Sequence, residues 1–188
     1  MNIGTNTRSY ETERLLLRPL TAGDASALAG YLLRNRSFLQ EWEPERDESY
    51  FAEEVVLGRI LLEQDSMLAG RSLNLYLFRK DDGTLIGNVN LSNIVYGAFL
   101  SCFAGYKLDF EEAGRGYMTE ALGRITAIAF GELGLHRIEA NIMPRNRASI
   151  RVAEKLGFVN EGRSRKYLRI NGAWEDHDHY VLLNEDLE

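Results

Sequence analysis

The chain is poor in cysteine. Cys102 stands alone among 188 residues, which excludes an internal disulfide framework and argues against a structural zinc site, since such sites take several thiolate or imidazole ligands. Proline is scarce at three residues, so helices can run uninterrupted, and the 17 glycines must supply many of the turns. No apolar run approaches the roughly 18 residues that a membrane span needs. The polar opening, residues 1–10, has no signal-peptide core, so a cytoplasmic location is expected. Positive charge is also in deficit: 22 Lys and Arg face 28 Asp and Glu, a net charge of -6. A nucleic-acid footprint over a whole face is therefore not expected. The acidic balance suits a cationic acceptor such as an amine or a basic protein, although plain solubility accounts for it equally well. No Gly-x-Ser-x-Gly elbow and no Gly-Lys-Ser/Thr phosphate loop occurs.

What is present fits one globular unit. Hydrophobic residues make up 45% and charged residues 27%, ordinary values for a packed chain. Residues 1–9 read as a loose tail and 10–188 as a single domain. The pattern predicts a short strand over 14–20, with Leu15 and Leu17 on one face. Thr21 and Asp24 form an approximate capping box for a helix carrying Leu28 and Leu32. Residues 36–50 read as irregular and acidic. A helix over 50–69 ends at Gly70. Strands follow over 73–78, 85–94 and 99–108, with turns at Asp82-Gly83 and Tyr96-Gly97. A helix over 116–133 buries Ala121, Leu122, Ile125, Ile128 and Ala129. A strand over 137–142, a helix over 147–156 and a hairpin of 158–170 with 175–183 across Asn171-Gly172 complete a mixed sheet with helices.

Three segments carry chemistry. Glu112-Ala113-Gly114-Arg115-Gly116-Tyr117-Met118-Thr119-Glu120-Ala121 follows a strand and opens a helix. Its glycines leave backbone N–H groups unobstructed, and a helix N-terminus adds unpaired donors and about half a positive charge, a combination suited to a pyrophosphate. Arg115 supplies further charge. A tight turn without any ligand has the same signature. In the second segment, Asn146 fits an N-cap and Ser149 lies in the first helical turn, as in any capped helix with a surface serine. The third is the run from Glu41 to Glu54, with seven acids against Arg46. It reads either as a solvated loop or as an attractor for a cationic amine, walled by Trp42. His177 and His179 alternate beside Asp176 and Asp178 and read as partnered surface histidines rather than metal ligands. Cys102 reads as an inert core thiol.

Taken in order, Thr12-Glu13-Arg14-Leu15-Leu16-Leu17-Arg18-Pro19, Gly114-Arg115-Gly116-Tyr117-Met118-Thr119-Glu120-Ala121 and the stretch from Asn146 through Ser149 and Lys155-Leu156-Gly157-Phe158 to Glu161-Gly162 resemble the GNAT superfamily of acetyltransferases. The likeness is nearer to the ribosomal-protein-alanine N-acetyltransferases, through Asn35-Arg36-Ser37-Phe38-Leu39, Trp42-Glu43-Pro44, Arg46-Asp47-Glu48-Ser49, Leu91-Ser92-Asn93-Ile94-Val95-Tyr96-Gly97 and the residues from Lys166 to His177.

The resemblance implies a GNAT-like mixed α/β fold, a mostly antiparallel seven-stranded twisted sheet with one splayed parallel pair and about four helices. It implies acetyl-CoA as co-substrate and no metal. The splayed strands would be 99–108 and 137–142. Backbone groups around Leu108, Asp109 and Phe110 would hold the pantetheine arm, and the amides of Arg115, Gly116, Tyr117, Met118 and Thr119 the pyrophosphate. Asn146 and Arg151 would line the far side. Ser149 would hydrogen-bond the departing thiolate. Glu43, directly or through water, would act as base, with Glu41 and Tyr167 as alternatives. Departures from the family pattern are Ala113 and Met118, at the two ends of the phosphate loop, and Phe103, where relatives often carry a glutamate. The expected acceptor is a protein N-terminus or a small-molecule amine such as a polyamine or aminoglycoside; a non-catalytic acyl-CoA-binding module is the third reading. No nucleic-acid or membrane partner is expected, and the chain is expected as a monomer or homodimer.

Overall fold

The structure is a computed structural model that describes residues 8–187; of the tail expected over 1–9, residues 1–7 lie outside the described residues. Eight strands form one sheet in the order β1-β2-β3-β4-β5-β6-β8-β7. They are β1 (Tyr10–Glu11), β2 (Leu15–Arg18), β3 (Leu73–Arg79), β4 (Leu85–Val95), β5 (Ser101–Leu108), β6 (Arg137–Ile142), β7 (Val159–Ile170) and β8 (Ala173–Leu183). Among the described residues four α-helices accompany them: α1 (Ala25–Leu39), α2 (Glu53–Leu68), α3 (Tyr117–Gly131) and α4 (Arg147–Lys155). Seven strands were expected; the eighth is the two-residue β1, which pairs with β2 at the sheet edge and is too short to give a periodic signal.

Period-two alternation explains the layering. In β3, Leu75 and Leu77 point into a core shared with α3 and α4, while Tyr76 and Phe78 point into a second core beneath α1 and α2. Helix α3 presents Ala121, Leu122, Ile125, Ile128 and Ala129 to the first core. Helix α1 runs through Leu39, further than the irregular stretch expected from Arg36, because Leu39 packs into the second core. The expected helix over 50–69 is divided. A 3₁₀ turn, Glu48–Phe51, is capped by the Asp47 carboxylate; Ala52 is extended at φ -66° and ψ 138°, and α2 begins only at Glu53. Asn171 and Gly172 both have positive φ, 44° and 81°, as a two-residue turn between right-twisted strands requires.

All strand pairs are antiparallel except β5 with β6. That parallel ladder covers three residue pairs, Ser101–Arg137, Cys102–Ile138 and Phe103–Glu139. Beyond it, β5 stays bound to β4 up to Leu108 and β6 to β8 up to Ile142. The sheet therefore opens in its middle, between residues 104–108 and 140–142. No helix among the described residues is long and apolar enough to cross a membrane.

The rim of this opening is packed tightly enough to need glycine. A Cβ built on Gly87 would lie 2.5 Å from the Lys107 carbonyl oxygen and 3.2 Å from the Leu108 Cα. Backbone must move to admit it, and overpacking of this kind costs about 1–3 kcal/mol. Gly87→Ala is expected to lower unfolding stability by that amount in chemical denaturation, with a normal midpoint showing that β4 and β5 yield without cost.

Candidate active site

The loop that precedes α3 is built around two left-handed glycines, Gly114 at φ 78° and Gly116 at φ 84°. Gly116 caps α3 without any side-chain hydrogen bond. The first helical amide to bond back is that of Glu120, which donates to the Gly116 carbonyl at 3.1 Å. The amides of Tyr117, Met118 and Thr119 have no protein acceptor among the described residues. Such donors, aligned with the helix dipole, make a ready anion site.

Arg14 fixes this loop, a role that sequence reading missed. Its guanidinium donates to the Arg115 carbonyl at 2.9 Å and to the Glu120 carboxylate at 2.8 Å, and its backbone N–H donates to the other Glu120 oxygen at 2.8 Å. It also stacks over the Tyr117 ring, 4.3 Å from the centroid. Burial pushes the Glu120 carboxyl up, but its bonds with Thr12 and Arg14 outweigh that and hold it below its usual range. On the other side of the loop, Glu112 is buried and binds Arg79 at 2.7 Å and Arg115 at 3.1 Å. The Arg115 side chain is thus tethered to Glu112, and its carbonyl to Arg14.

A cavity of about 280 Å³ lies at the open ladder. It brings together Leu108, Gly116, Met118, Thr119, Asn146, Ser149 and Arg151 of the expected residues. Asp109, Phe110, Arg115, Tyr117 and Glu43 are not on its lining. Asp109 is buried and accepts from Arg34 at 2.6 Å and Asn35 at 3.0 Å. Burial raises its pKa, but those bonds prevail and keep it below its usual value. The Asp109 N–H donates to the Ile86 carbonyl at 2.7 Å, and the Phe110 N–H to Asn35 Oδ1 at 3.0 Å. Both amides are therefore engaged within the protein.

Charge in this cavity runs against that of the chain. Lys107, Arg151 and Lys155 line it, and no Asp or Glu does. The apolar wall comes from Phe38, Leu39, Trp42 and Val152. On the α4 side, the Asn146 side chain accepts from the Ser149 N–H at 3.1 Å, the expected N-cap. Tyr106 spans the opening and donates its hydroxyl to the Ser149 carbonyl at 3.0 Å. The Ser149 side chain lies close enough to the Tyr106 hydroxyl to act on its pKa, lowering it against the effect of burial.

The acidic segment is folded onto the protein rather than waving in solvent. Arg36 pairs with Glu48 at 2.6 Å, and Arg145 with Glu175 at 3.0 Å and Glu41 at 3.4 Å. Glu43 binds Lys107 at 2.7 Å, both side chains about one-fifth exposed. The tip of the β7–β8 hairpin closes over this loop, with the Asn171 N–H donating to the Glu43 carbonyl at 2.9 Å. A second cavity of about 200 Å³, lined by Arg36, Gln40, Glu43, Glu45 and Tyr50 among others, lies on the other side of Glu43.

The histidines are less exposed than expected. His177 is buried, and burial lowers its pKa. His179 bonds Glu139 at 2.8 Å and Ser164 at 2.7 Å, and the Tyr167 ring packs against both imidazoles. Cys102 is buried and its thiol is pushed up to about 12, which keeps it unreactive.

Residues 14–159 match the acetyltransferase (GNAT) domain family. The [ribosomal protein uS5]-alanine N-acetyltransferase of Escherichia coli (strain K12) is 38% identical over 175 residues, covering 93% of this chain and 90% of the relative. Among solved structures, the ribosomal-protein-S5-alanine acetyltransferase of Vibrio fischeri has a TM-score of 0.91 at 37% identity and covers 96% of this chain and 99% of that one. RimJ of Mycobacterium smegmatis, solved in complex with CoA-disulfide, has a TM-score of 0.87 at 31% identity and covers 92% of this chain and 83% of that one. With the sheet opened between its one parallel strand pair and a cation-lined cavity seated at the opening, the chain belongs to the GNAT acetyltransferases and is an N-acetyltransferase.

Proposed function

We propose that residues 10–188 act as one unit that transfers the acetyl group of acetyl-CoA to the α-amine at a protein N-terminus, of a ribosomal protein beginning with Ala or Ser, by direct attack in a ternary complex. The observation that carries this reading is the sign of the cavity. In a chain of net charge -6, the lining holds Arg151 and Lys155 beside a Lys107 paired with Glu43, and three helix amides without a protein acceptor among the described residues. Such a lining fits a diphosphate, and the RimJ relative was solved in complex with CoA-disulfide on the same fold. The amides of Tyr117, Met118 and Thr119 take the pyrophosphate, while Arg151 and Lys155 supply charge at the exposed rim. Leu108 and Asn146 flank the arm that leads to the thioester. A cytoplasmic setting follows, since acetyl-CoA and new ribosomal proteins meet there.

The amine attacks the thioester carbonyl directly, and the chain's contribution is positioning together with a donor to the developing charge. Ser149 donates to the departing thiolate. A thiol pKa near about 8.5 makes a weak donor sufficient. Amine basicity favours an N-terminus over a lysine side chain. An α-amine with pKa about 7.7–8.0 is roughly a quarter neutral near pH 7.4, whereas a lysine amine near 10.4 is only about one part in a thousand neutral. Little base is needed, and Glu43 supplies it directly or through water. Glu41, paired with Arg145, and Tyr167, packed on two imidazole rings, are the alternatives.

An amine panel tests the reading: peptides with N-terminal Ala or Ser, polyamines and aminoglycosides, assayed for thioester consumption. Preferred turnover of the peptides supports it; preference for a polyamine or an aminoglycoside overturns the acceptor. Ser149→Ala is expected to lower kcat by about 10-fold or more with little change in acetyl-CoA affinity, and an unchanged kcat removes Ser149 from the mechanism. Gly116→Glu places a carboxylate among the helix donors and a side chain on a backbone at φ 84°. It is expected to abolish acetyl-CoA binding by calorimetry while the circular dichroism stays native; normal titration would refute the loop assignment.

A further inference from the structure

We propose that the Glu43 carboxylate is a binding subsite for a primary ammonium, and that the Lys107 ammonium now on it occupies the place of the acceptor's own ammonium. The inference rests on the acceptor reading above and names the group that recognises the amine. Three observations carry it. First, the bond is chemically a rehearsal of substrate binding: a primary ammonium sits 2.7 Å from a carboxylate that is four-fifths buried. Second, the pair stands between two cavities. Lys107 lines the cation-rich one at the open ladder, and Glu43 lines the 200 Å³ one behind it. Third, Tyr31 is wholly buried, its hydroxyl has no hydrogen-bond partner among the described residues, and it lies in the field of the Glu43 carboxylate. An unsatisfied buried donor is costly, and the Glu43 carboxylate adds to the burial that holds this phenol protonated.

The surrounding charges explain why this carboxylate is the exchangeable one. Glu48 is held by Arg36 through two bonds of 2.6 and 2.9 Å, a forked guanidinium pairing that a monovalent ammonium displaces poorly. Glu41 and Glu175 share Arg145. Glu43 alone among these has a lysine, whose single point charge rides on a four-carbon stem able to swing aside. Its backbone is meanwhile pinned by the hairpin, through the Asn171 N–H at 2.9 Å, so the carboxylate stays in place when Lys107 leaves. An incoming ammonium then replaces one of the same charge, and the site never holds a bare carboxylate.

The test is binding without turnover, so it stands apart from the amine panel. Alaninamide serves as the minimal α-ammonium and N-acetyl-alaninamide as the uncharged control, each titrated by NMR into the full chain without acetyl-CoA. Lys107→Met removes the competing ammonium while keeping the stem, and is expected to bind alaninamide at least about 10-fold more tightly than wild type. Adding Glu43→Gln to that variant should abolish the gain, and the control should bind no protein. Lys107→Arg, which keeps the charge and grips Glu43 through two bonds, should bind alaninamide more weakly than wild type; this variant decides the matter if Lys107→Met fails to fold. Equal or weaker alaninamide binding by a folded Lys107→Met, or binding by Lys107→Arg as tight as wild type, overturns the subsite. Failure of every peptide in the amine panel would instead overturn the acceptor assignment while leaving an ammonium site at Glu43.

Discussion

Everything functional in this protein depends on a ladder that stops early. β5 and β6 share three residue pairs and then part, although each remains fully paired on its outer side. Backbone groups in a sheet interior are obligatory hydrogen-bonding groups, so a gap in the middle of an eight-stranded sheet leaves room and donors that closed pairing would have consumed. The protein surrounds the gap instead of filling it. Tyr106 bridges to the α4 turn from one side, the Asn146 cap holds that turn from the other, and the loop before α3 arrives above.

That loop is held by charge rather than by apolar packing. Arg14 joins the second strand to the start of α3 through the Arg115 carbonyl, the Glu120 carboxylate and the Tyr117 ring. A flexible glycine loop would lose entropy on binding an anion, and a loop already clamped loses less. The clamp leaves the amides of Tyr117, Met118 and Thr119 facing outward while engaging carbonyl and carboxylate oxygens on the inward side. Donors are thereby pooled on one side of the loop, and acceptors are kept away from them.

The elements were legible because their periods are clean. Leu75 and Leu77 alternate with Tyr76 and Phe78, and Ala121 to Ala129 recur at helical spacing, so strand and helix were readable without a fold in mind. The glycine turn before α3 and the Asn146 cap were legible for a similar reason: each is local, built from residues within a few positions of one another. What escaped the sequence is what closes across distance. Arg14 meets Glu120 over 106 positions, and Glu43 meets Lys107 over 64; no spacing rule reaches that far. The acidic run illustrates the same limit. Read as a string, it is seven acids against one arginine; in the fold, arginines from elsewhere in the chain, Arg36 and Arg145, engage Glu48 and Glu41. The Asp109 carboxylate and the Phe110 amide are likewise engaged over distance, by Arg34 and Asn35 of α1.

The choice between two hydroxyls at the open ladder follows from which proton is free. Tyr106 and Ser149 stand on its two sides, and a phenol is the more acidic of the two in water. Here the Tyr106 proton is already committed to the Ser149 carbonyl at 3.0 Å, and burial raises its pKa although the Ser149 side chain acts to lower it. Using it against a leaving thiolate would break a half-buried hydrogen bond and leave a carbonyl of the α4 turn without its donor, at a cost of about 1–3 kcal/mol. The Ser149 backbone is fixed at both ends, by Asn146 at the N–H and by Tyr106 at the carbonyl. Tyr106 thus serves better as the group that holds Ser149 in position than as a donor in its own right.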